Sequence, residues 1–420
     1  MFQRFLITCA FLTGSHFFAH AQPDGQYFKG ALKANRDKLY RGIVSNSIIG
    51  NLSLPLNDEN EEAWATAFSA VNLVKYETPF VHAKITFAAN HTAGRSKTFT
   101  KALLELINSD YPGEYIEAAK SIFYKAGNDD VLRAMAVHYI LPKASAADRK
   151  MILQAITQRL KSNPENPVLS ELNHQLTDQY KRMPALKTFF LPDYLPGQVL
   201  VFSFQRRDRN FPGLAIVRKA DGSFMKNTDG SYFSVGQLAR SEGNMPGYIS
   251  MGNTPQGIFR MDGFDTSKTY FIGPTTNIQL TMPFEYIASH FYRDSTAKDS
   301  IWTLKQYEKF LPGNFKGYHP VYGTYYAGKA GRTEIIAHGT TIDPSLYKTT
   351  SYYPFTPSAG CLVTKEFWDD KTGHLFSSDQ LLLTKAVAAA GGPHGYLIVI
   401  EIDDNKGPVT LYDLRDWLPQ

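Results

Sequence analysis

The sequence predicts an α+β chain, with a helical N-terminal domain followed by a mostly β domain. Up to about residue 180, apolar residues recur at the three- and four-residue spacing of amphipathic helices. A proline-rich connection follows over residues 184–196, and beyond it short apolar runs alternate with turn residues. We therefore expect a helical domain over residues 24–183, a linker over residues 184–196 and a second domain over residues 197–404.

The first 21 residues have the layout of a secretory signal peptide. Arg4 is the only charge before a short apolar run, and residues 19–21 have the small-x-small pattern of a cleavage site. The run is too short to span a bilayer. We therefore expect cleavage near Ala21 and export of the protein to the periplasm or cell envelope. Cys9 falls within this segment, so Cys361 is expected to be the only cysteine of the mature chain.

The composition is that of an ordinary globular protein. The 420 residues favour two domains, or three, each large enough to bury a core without disulfides. The net charge of +5 does not gather into a basic stripe, so we expect no nucleic-acid partner. No stretch after the signal segment approaches the length of a membrane span, so none is expected in the mature protein.

Four apolar stripes define the expected helices of the first domain. Each has the spacing that places its residues on one helical face. The stripes consist of Ala102, Leu103, Leu106 and Ile107; Ile116, Ala119, Phe123 and Ala126; Leu153, Ile156 and Leu160; and Leu169, Leu172 and Leu176. Pro142, Pro164 and Pro167 fall between the stripes, where helices begin or end. Nothing in these residues identifies a protein partner for the helical domain.

The second domain is expected to contain many short strands, because its apolar runs are short and bounded by turn residues. The runs cover residues 198–204, 213–217, 257–261, 270–272, 334–338 and 396–402. One helix is predicted from Ser378 to Ala390, where Gly391 and Gly392 follow as a stop signal. Residues 405–420 are predicted to form a C-terminal strand and tail.

His338 and Cys361 are candidates for a catalytic pair. An imidazole can take the proton of a thiol and make the sulfur a nucleophile, provided that a third group orients the ring. The carbonyl of Gly339 is a candidate for that group, and the amides of Gly360 and Cys361 are candidates for an oxyanion site. The alternative is that Cys361 is an inert side chain, because free cysteine often behaves as a small buried hydrophobe.

Two motifs resemble those of the L,D-transpeptidase family, whose catalytic domain is of the YkuD type. The triplet His338-Gly339-Thr340, followed by Ser-x-Gly-Cys at residues 358–361, is similar to the catalytic signature of the family. Upstream, the sequence NTPQGIF at residues 253–259 resembles the family's Thr-Pro-x-Gly-x-Phe turn. The resemblance covers the second domain and leaves the helical domain out.

The resemblance implies a β-sandwich-like catalytic domain that acts on peptidoglycan stem peptides without a metal or other cofactor. Cys361 would attack the carbonyl carbon of the third residue of a tetrapeptide stem and release the terminal D-alanine. An amine of another stem would then take over the acyl group, which forms a cross-link. His338 would be the base, Gly339 would orient it through its backbone, and Gly360 would help to frame the oxyanion site.

The chain departs from the commonest family pattern around the cysteine. Ala359 stands where many members have histidine, and Val363 where many have arginine or asparagine. The interval between His338 and Cys361 is also longer than usual. The extra length, at residues 342–357, is rich in tyrosine and proline. It is either a lid that packs on a substrate or a surface loop folded onto its own aromatic residues.

Ser358, His319, Tyr322 and Tyr353 are the candidates for binding substrate. Ser358 belongs to the cysteine motif and Tyr353 to the tyrosine-rich segment. His319 and Tyr322 lie where the family often has an aromatic-rich strand beside the donor site, although a core position is the alternative for Tyr322.

Three other residues near the motifs are expected to have surface or structural roles. Arg332 and Lys329 could meet a carboxylate of the stem peptide, but solvated surface charges are the expected outcome, since charged side chains are seldom buried. Thr254 is expected to shape a turn.

Two other functions stay open at this point. The same thioester could be passed to water, which would make the protein a carboxypeptidase or amidase. The chain could also be a non-catalytic protein that binds the cell wall. The sequence does not distinguish these functions from transpeptidation.

Overall fold

A computed structural model describes residues 26–177, 182–293 and 301–419. The predicted signal segment, with Cys9, lies outside these residues. Eight α-helices occupy the first range: α1 (Lys33–Gly42), α2 (Glu61–Val74), α3 (Pro79–Asn90), α4 (Lys97–Asp110), α5 (Ile116–Lys125), α6 (Asp130–Ile140), α7 (Ala146–Ser162) and α8 (Pro167–Thr177). A π-helical segment, Ile43–Gly50, continues α1. The four helices predicted from apolar stripes are confirmed as α4, α5, α7 and α8.

Side-chain caps mark where several of these helices begin. Ser96 accepts the Phe99 N–H before α4, and Ser145 forms a capping box with Asp148 at the start of α7. The apolar faces of the helices then pack into one core, whose largest members include Trp64, Phe68 and Phe99.

The second part of the chain is built on an eight-stranded mixed sheet. Its strands are β1 (Val199–Arg206), β2 (Gly213–Arg218), β3 (Ser234–Gln237), β4 (Gly257–Asp265), β5 (Asn277–Thr281), β6 (Ile336–His338), β7 (Leu362–Val363) and β10 (His394–Asp403). Their order is β3-β2-β1-β10-β4-β5-β6-β7, and the pairs β1/β10 and β6/β7 are parallel. Strands β8 (Glu366–Trp368) and β9 (Leu375–Ser378) form a separate antiparallel pair. The prediction of an α+β chain is confirmed, and the sandwich-like arrangement stays a prediction.

Apolar side chains cover both faces of the central strands. On one face, Val201 and Leu397 pack with residues of α12 (Asp379–Ala389). On the other face, Phe202 and Ile398 pack with residues of four short helices. These are α9 (Ala288–Tyr292), α10 (Leu304–Tyr307), α11 (Gly323–Lys329) and α13 (Leu411–Leu414). Helix α12 confirms the helix predicted from Ser378, whose side chain accepts the Leu381 N–H.

The strand predicted at residues 270–272 is wrong, because these residues form a turn. The N–H groups of Ile272 and Gly273 both donate to the carbonyl of Thr269. The Tyr270 ring packs against Phe28, and its hydroxyl donates to the carbonyl of Gly30 at 2.7 Å. This aromatic run therefore receives the N-terminal segment instead of pairing with another strand.

Two further predictions change near the ends of the second domain. The residues after β10 contain the helix α13 where a strand was predicted, and Thr410 and Asp413 form the capping box that begins it. The predicted linker 184–196 contains a 3₁₀ helix, Leu186–Phe190, whose Phe189 and Phe190 are buried in the core beside the sheet. The segment therefore packs as part of the second domain, because its aromatic residues need a core.

The helical core extends into the second domain at one loop. Met245, Tyr248 and Ile249, which follow β3, are buried among the helices. This loop continues to Thr254, so the helical domain anchors a segment that reaches the candidate site described below. None of the helices within the described ranges combines the length and apolar character needed to cross a bilayer.

Candidate active site

His338 is the last residue of β6, and Cys361 directly precedes β7, the parallel neighbour of β6. Ala337 pairs with Leu362 in this parallel ladder, so Cys361 lies opposite Ile336, two residues before His338. The strand spacing and rise separate the Cα atoms of His338 and Cys361 by roughly 8 Å.

The Cys361 side chain is half-buried and faces backbone groups. Its Sγ lies 3.5 Å from the N–H nitrogen of Ile336 and 3.8 Å from the carbonyl oxygen of Glu334. Burial raises the pKa of the thiol, while the Ile336 N–H and the Arg332 guanidinium limit the rise. The thiol is therefore protonated at neutral pH and needs a base to become a nucleophile.

The His338 ring is held through Nδ1, which hydrogen-bonds the carbonyl oxygen of Gly339. This bond keeps the proton on Nδ1 and leaves Nε2 as the basic nitrogen. Burial lowers the pKa of His338 to about 4, so the ring is neutral at physiological pH. Within the described ranges, no hydrogen bond joins this ring to the Cys361 sulfur. Catalytic hydrogen bonds often form only when substrate binds.

Arg332 holds the loop that precedes Cys361. Its side chain is 4% exposed and donates to four backbone carbonyls. The acceptors are Gly247, Gly252, Asn253 and Gly360. The prediction of a solvated surface charge is therefore wrong, because these carbonyls replace water around the guanidinium. Thr254 also donates its hydroxyl to the Gly360 carbonyl at 2.8 Å, so it contacts the loop itself.

Gly360 occupies a position that only glycine fits. Its φ is +115°, and a Cβ there would lie 2.2 Å from both the Arg332 Nη2 and the Gly252 oxygen. Its N–H donates to Ser358 Oγ at 3.1 Å, and the Ser358 hydroxyl donates to the Cys361 carbonyl at 3.1 Å. Both groups are thus engaged within the loop, which leaves the Cys361 N–H as the candidate oxyanion donor.

His319 and Tyr322 are both engaged in contacts within the protein. His319 Nε2 hydrogen-bonds Glu171 of α8, and its ring stacks on His174 at 3.4 Å between centroids. It therefore faces the helical domain. Tyr322 lies in the core, 5% exposed, where its hydroxyl donates to Glu308 at 3.0 Å. Substrate binding by either residue stays a prediction.

The loop at residues 342–357 folds mainly onto its own aromatic residues. Tyr347, Tyr352 and Phe355 are buried together around Leu238. The Tyr347 hydroxyl also donates to the carbonyl of Leu73 in α2 at 2.7 Å. Tyr353 is 44% exposed and is the aromatic residue of this loop that is open to a ligand. These contacts favour a packed surface loop over a mobile lid.

The sequence interpretation missed Glu366, which is 2% exposed and lies beneath the turn after His338. A Cβ at Gly339 would lie 2.1 Å from its carboxyl carbon. The sequence offers no clear signal for this burial, since Val363 and Phe367 on the opposite parity are as apolar as Leu362 and Trp368. No sequence signal marks Arg332 either.

Comparisons with known protein families, curated proteins and solved structures returned no match to this chain.

Proposed function

We propose that the protein is an exported L,D-transpeptidase, a cysteine acyltransferase that acts on peptidoglycan stem peptides. One observation carries the proposal: a half-buried thiol directly precedes β7, and an imidazole held through its Nδ1 ends β6, the strand that pairs with β7 in parallel. The motifs around both residues are similar to those of the transpeptidases. A sandwich-like catalytic domain, and a role in cell-wall biogenesis and cell shape, belong to the same proposal.

In this reaction Nε2 of His338 takes the thiol proton as Cys361 Sγ attacks the carbonyl carbon of the third stem residue. The bond to the terminal D-alanine breaks, and the imidazolium returns the proton to the leaving amine. A thioester remains on Cys361. An amine of a second stem then attacks this thioester and loses its proton to His338, and the thiolate leaves and is reprotonated.

The two pKa shifts define the role of the histidine. Because the pKa of His338 is lowered and that of Cys361 is raised, the resting pair is a neutral imidazole and a thiol. His338 therefore acts as a general base during attack and not as the cation of a preformed ion pair.

Incubation of the mature protein with wall fragments that carry tetrapeptide stems tests the proposal. We expect cross-linked dimers and free D-alanine in the mass spectrum, and an acyl adduct on the intact protein. Cys361→Ser should give neither product nor adduct, and His338→Gln should slow both steps.

Other outcomes of this experiment would contradict transpeptidation. Trimmed stems without dimers would indicate that water accepts the acyl group, as in a carboxypeptidase. A wild-type protein that binds wall, forms no adduct with a carbapenem and loses no binding on Cys361→Ala would indicate a non-catalytic binding protein.

A further inference from the structure

The carboxyl group of Glu366 touches the peptide that follows His338. Its Oε2 accepts the Thr340 N–H at 2.9 Å, and its Oε1 accepts the Ser378 hydroxyl at 2.6 Å. Gly339 lies against the same carboxyl group, with no room for a side chain. Glu366 therefore fixes the turn both by hydrogen bonding and by contact.

The carbonyl groups around the turn are all held by donors. Thr364 N donates to His338, and Trp368 Nε1 donates to Thr340 at 2.9 Å. Gln380 Nε2 donates to Ala337 at 2.9 Å. Glu366 has the complementary role, since it supplies the acceptor for the N–H of the turn.

The Thr340 N–H and the Gly339 carbonyl belong to one peptide unit. This unit is planar and trans, so its N–H and its carbonyl point in opposite directions. The N–H points to Glu366, and the carbonyl therefore points to the other side, where it binds His338 Nδ1. A rotation of this plane would remove the partner of the imidazole ring.

We infer that Glu366 is a positioning residue for His338 and acts as a hydrogen-bond acceptor through the Gly339–Thr340 peptide plane. This inference rests on the assignment of His338 as the base under the proposed function. It concerns the reactivity of the thiol and not the choice of substrate.

The buried environment of Glu366 is consistent with a role as a hydrogen-bond acceptor. Burial raises its pKa to about 7, although the donors Ser378 and Thr340 favour the carboxylate. An apolar residue of similar volume would fill the same space, but it would leave the Thr340 N–H and the Ser378 hydroxyl without this acceptor. The acid therefore serves these hydrogen bonds and not packing alone.

Alkylation of Cys361 by iodoacetamide tests the inference without any wall substrate. At pH 7 the reaction depends on the base, whereas at pH 10 hydroxide removes the thiol proton without the imidazole, so the rate reports access to the sulfur and its own ionisation but not the position of the base. Glu366→Met should slow alkylation at pH 7 by about tenfold or more, as His338→Gln should, because a misplaced base loses its effect. Neither variant should change the rate at pH 10.

Two conservative variants distinguish the loss of this hydrogen bond from a general loss of folding. Glu366→Gln keeps an acceptor for the Thr340 N–H and should retain the wild-type rate at pH 7. Glu366→Asp keeps a carboxyl group, but its shorter side chain does not reach the Thr340 N–H. It should therefore slow alkylation at pH 7, and it replaces Glu366→Met as the test variant if Glu366→Met does not fold.

Glu61→Met is the matched control. Glu61 is a carboxylate of the helical domain that is 6% exposed and accepts the Ser96 N–H at 2.7 Å. Its loss should lower the free energy of unfolding without changing either alkylation rate of the folded protein.

The inference is overturned if Glu366→Met or Glu366→Asp alkylates like wild type at pH 7 while His338→Gln is slow. It is also overturned if Glu366→Gln is as slow as Glu366→Met. If His338→Gln itself behaves like wild type, the base assignment fails and the inference fails with it. A protein that makes no dimers but shows the expected alkylation pattern would contradict only the proposed transpeptidation.

Discussion

The two segments that carry the candidate pair are held by opposite kinds of buried side chain, a base on one side and an acid on the other. On the Cys361 side, the guanidinium of Arg332 gathers four carbonyl groups. On the His338 side, the carboxyl group of Glu366 receives an N–H and a hydroxyl. The difference follows from what each backbone segment leaves unsatisfied, because a guanidinium has five donors and no acceptor, whereas a carboxylate only accepts.

Backbone groups can thus decide whether a basic or an acidic side chain is buried, without an ion pair between side chains. The two side chains also act differently on the chemistry. The cation of Arg332 lowers the pKa of the nearby thiol against the effect of burial. Glu366 reaches His338 only through a peptide plane, so its effect is one of geometry.

The largest expected effect concerns Arg332. Arg332→Met should lower the free energy of unfolding by on the order of 3 kcal/mol, because buried carbonyls lose their donors. It should also slow alkylation of Cys361 at pH 7, because the cation near the sulfur is gone. Urea unfolding and the alkylation rate measure the two effects.

Arg218 provides the matched control for this experiment. It is 1% exposed and donates to the carbonyls of Leu191, Tyr194 and Leu195, none of which belongs to the segments that carry His338 and Cys361. Arg218→Met should cost comparable stability and leave alkylation of the folded protein unchanged. Equal effects of the two substitutions on alkylation would show that Arg332 acts through general stability alone.

The His338 side should show a characteristic dependence of stability on pH. An unfolded histidine takes up a proton below about pH 6.5, whereas His338 in the folded protein does so only below about pH 4. The unfolded state therefore binds more protons in this window, and the free energy of unfolding falls as the pH falls from 6.5 to 4. The full contribution is roughly 3 kcal/mol.

His338→Asn removes this titration. The difference in unfolding free energy between the wild type and the variant should shrink as the pH falls through this window, as measured by urea titrations at several pH values. Parallel curves would contradict the burial of a neutral ring. His138 is a useful comparison, since burial in the helical domain also lowers its pKa to about 4. His138→Asn should make the free energy of unfolding less dependent on pH in this window, but it should not change the rate at which Cys361 is alkylated.

The sequence predicted those features that depend on local periodicity or on motifs. Helices α4 and α7 followed from apolar spacing, and the candidate pair followed from the residues around His338 and Cys361. The turn at residues 270–272 could not be predicted, because its aromatic residues are occupied by a segment more than 200 positions earlier, at Phe28. The burial of Arg332 could not be predicted either, because its carbonyl partners lie far from it in the sequence and come together only in the folded protein.

The smallest expected effects come from single hydrogen bonds on the two sides. Thr254→Val removes the donor to Gly360, and Trp368→Phe removes the donor to Thr340. Each loses a hydrogen bond worth about 1 kcal/mol in unfolding free energy, and Trp368→Phe also loses packing, because the phenyl ring does not fill the space of the buried indole. The alkylation rates should nevertheless differ. Thr254→Val displaces the loop that carries the sulfur and should change the rate at both pH 7 and pH 10.

Trp368→Phe disturbs the turn after His338 and should change the alkylation rate at pH 7 alone. The two variants thus separate access to the sulfur from activation of the thiol. If Trp368→Phe also changes the rate at pH 10, the turn after His338 shapes the opening to the thiol, and the division between a positioned base and a positioned nucleophile is wrong.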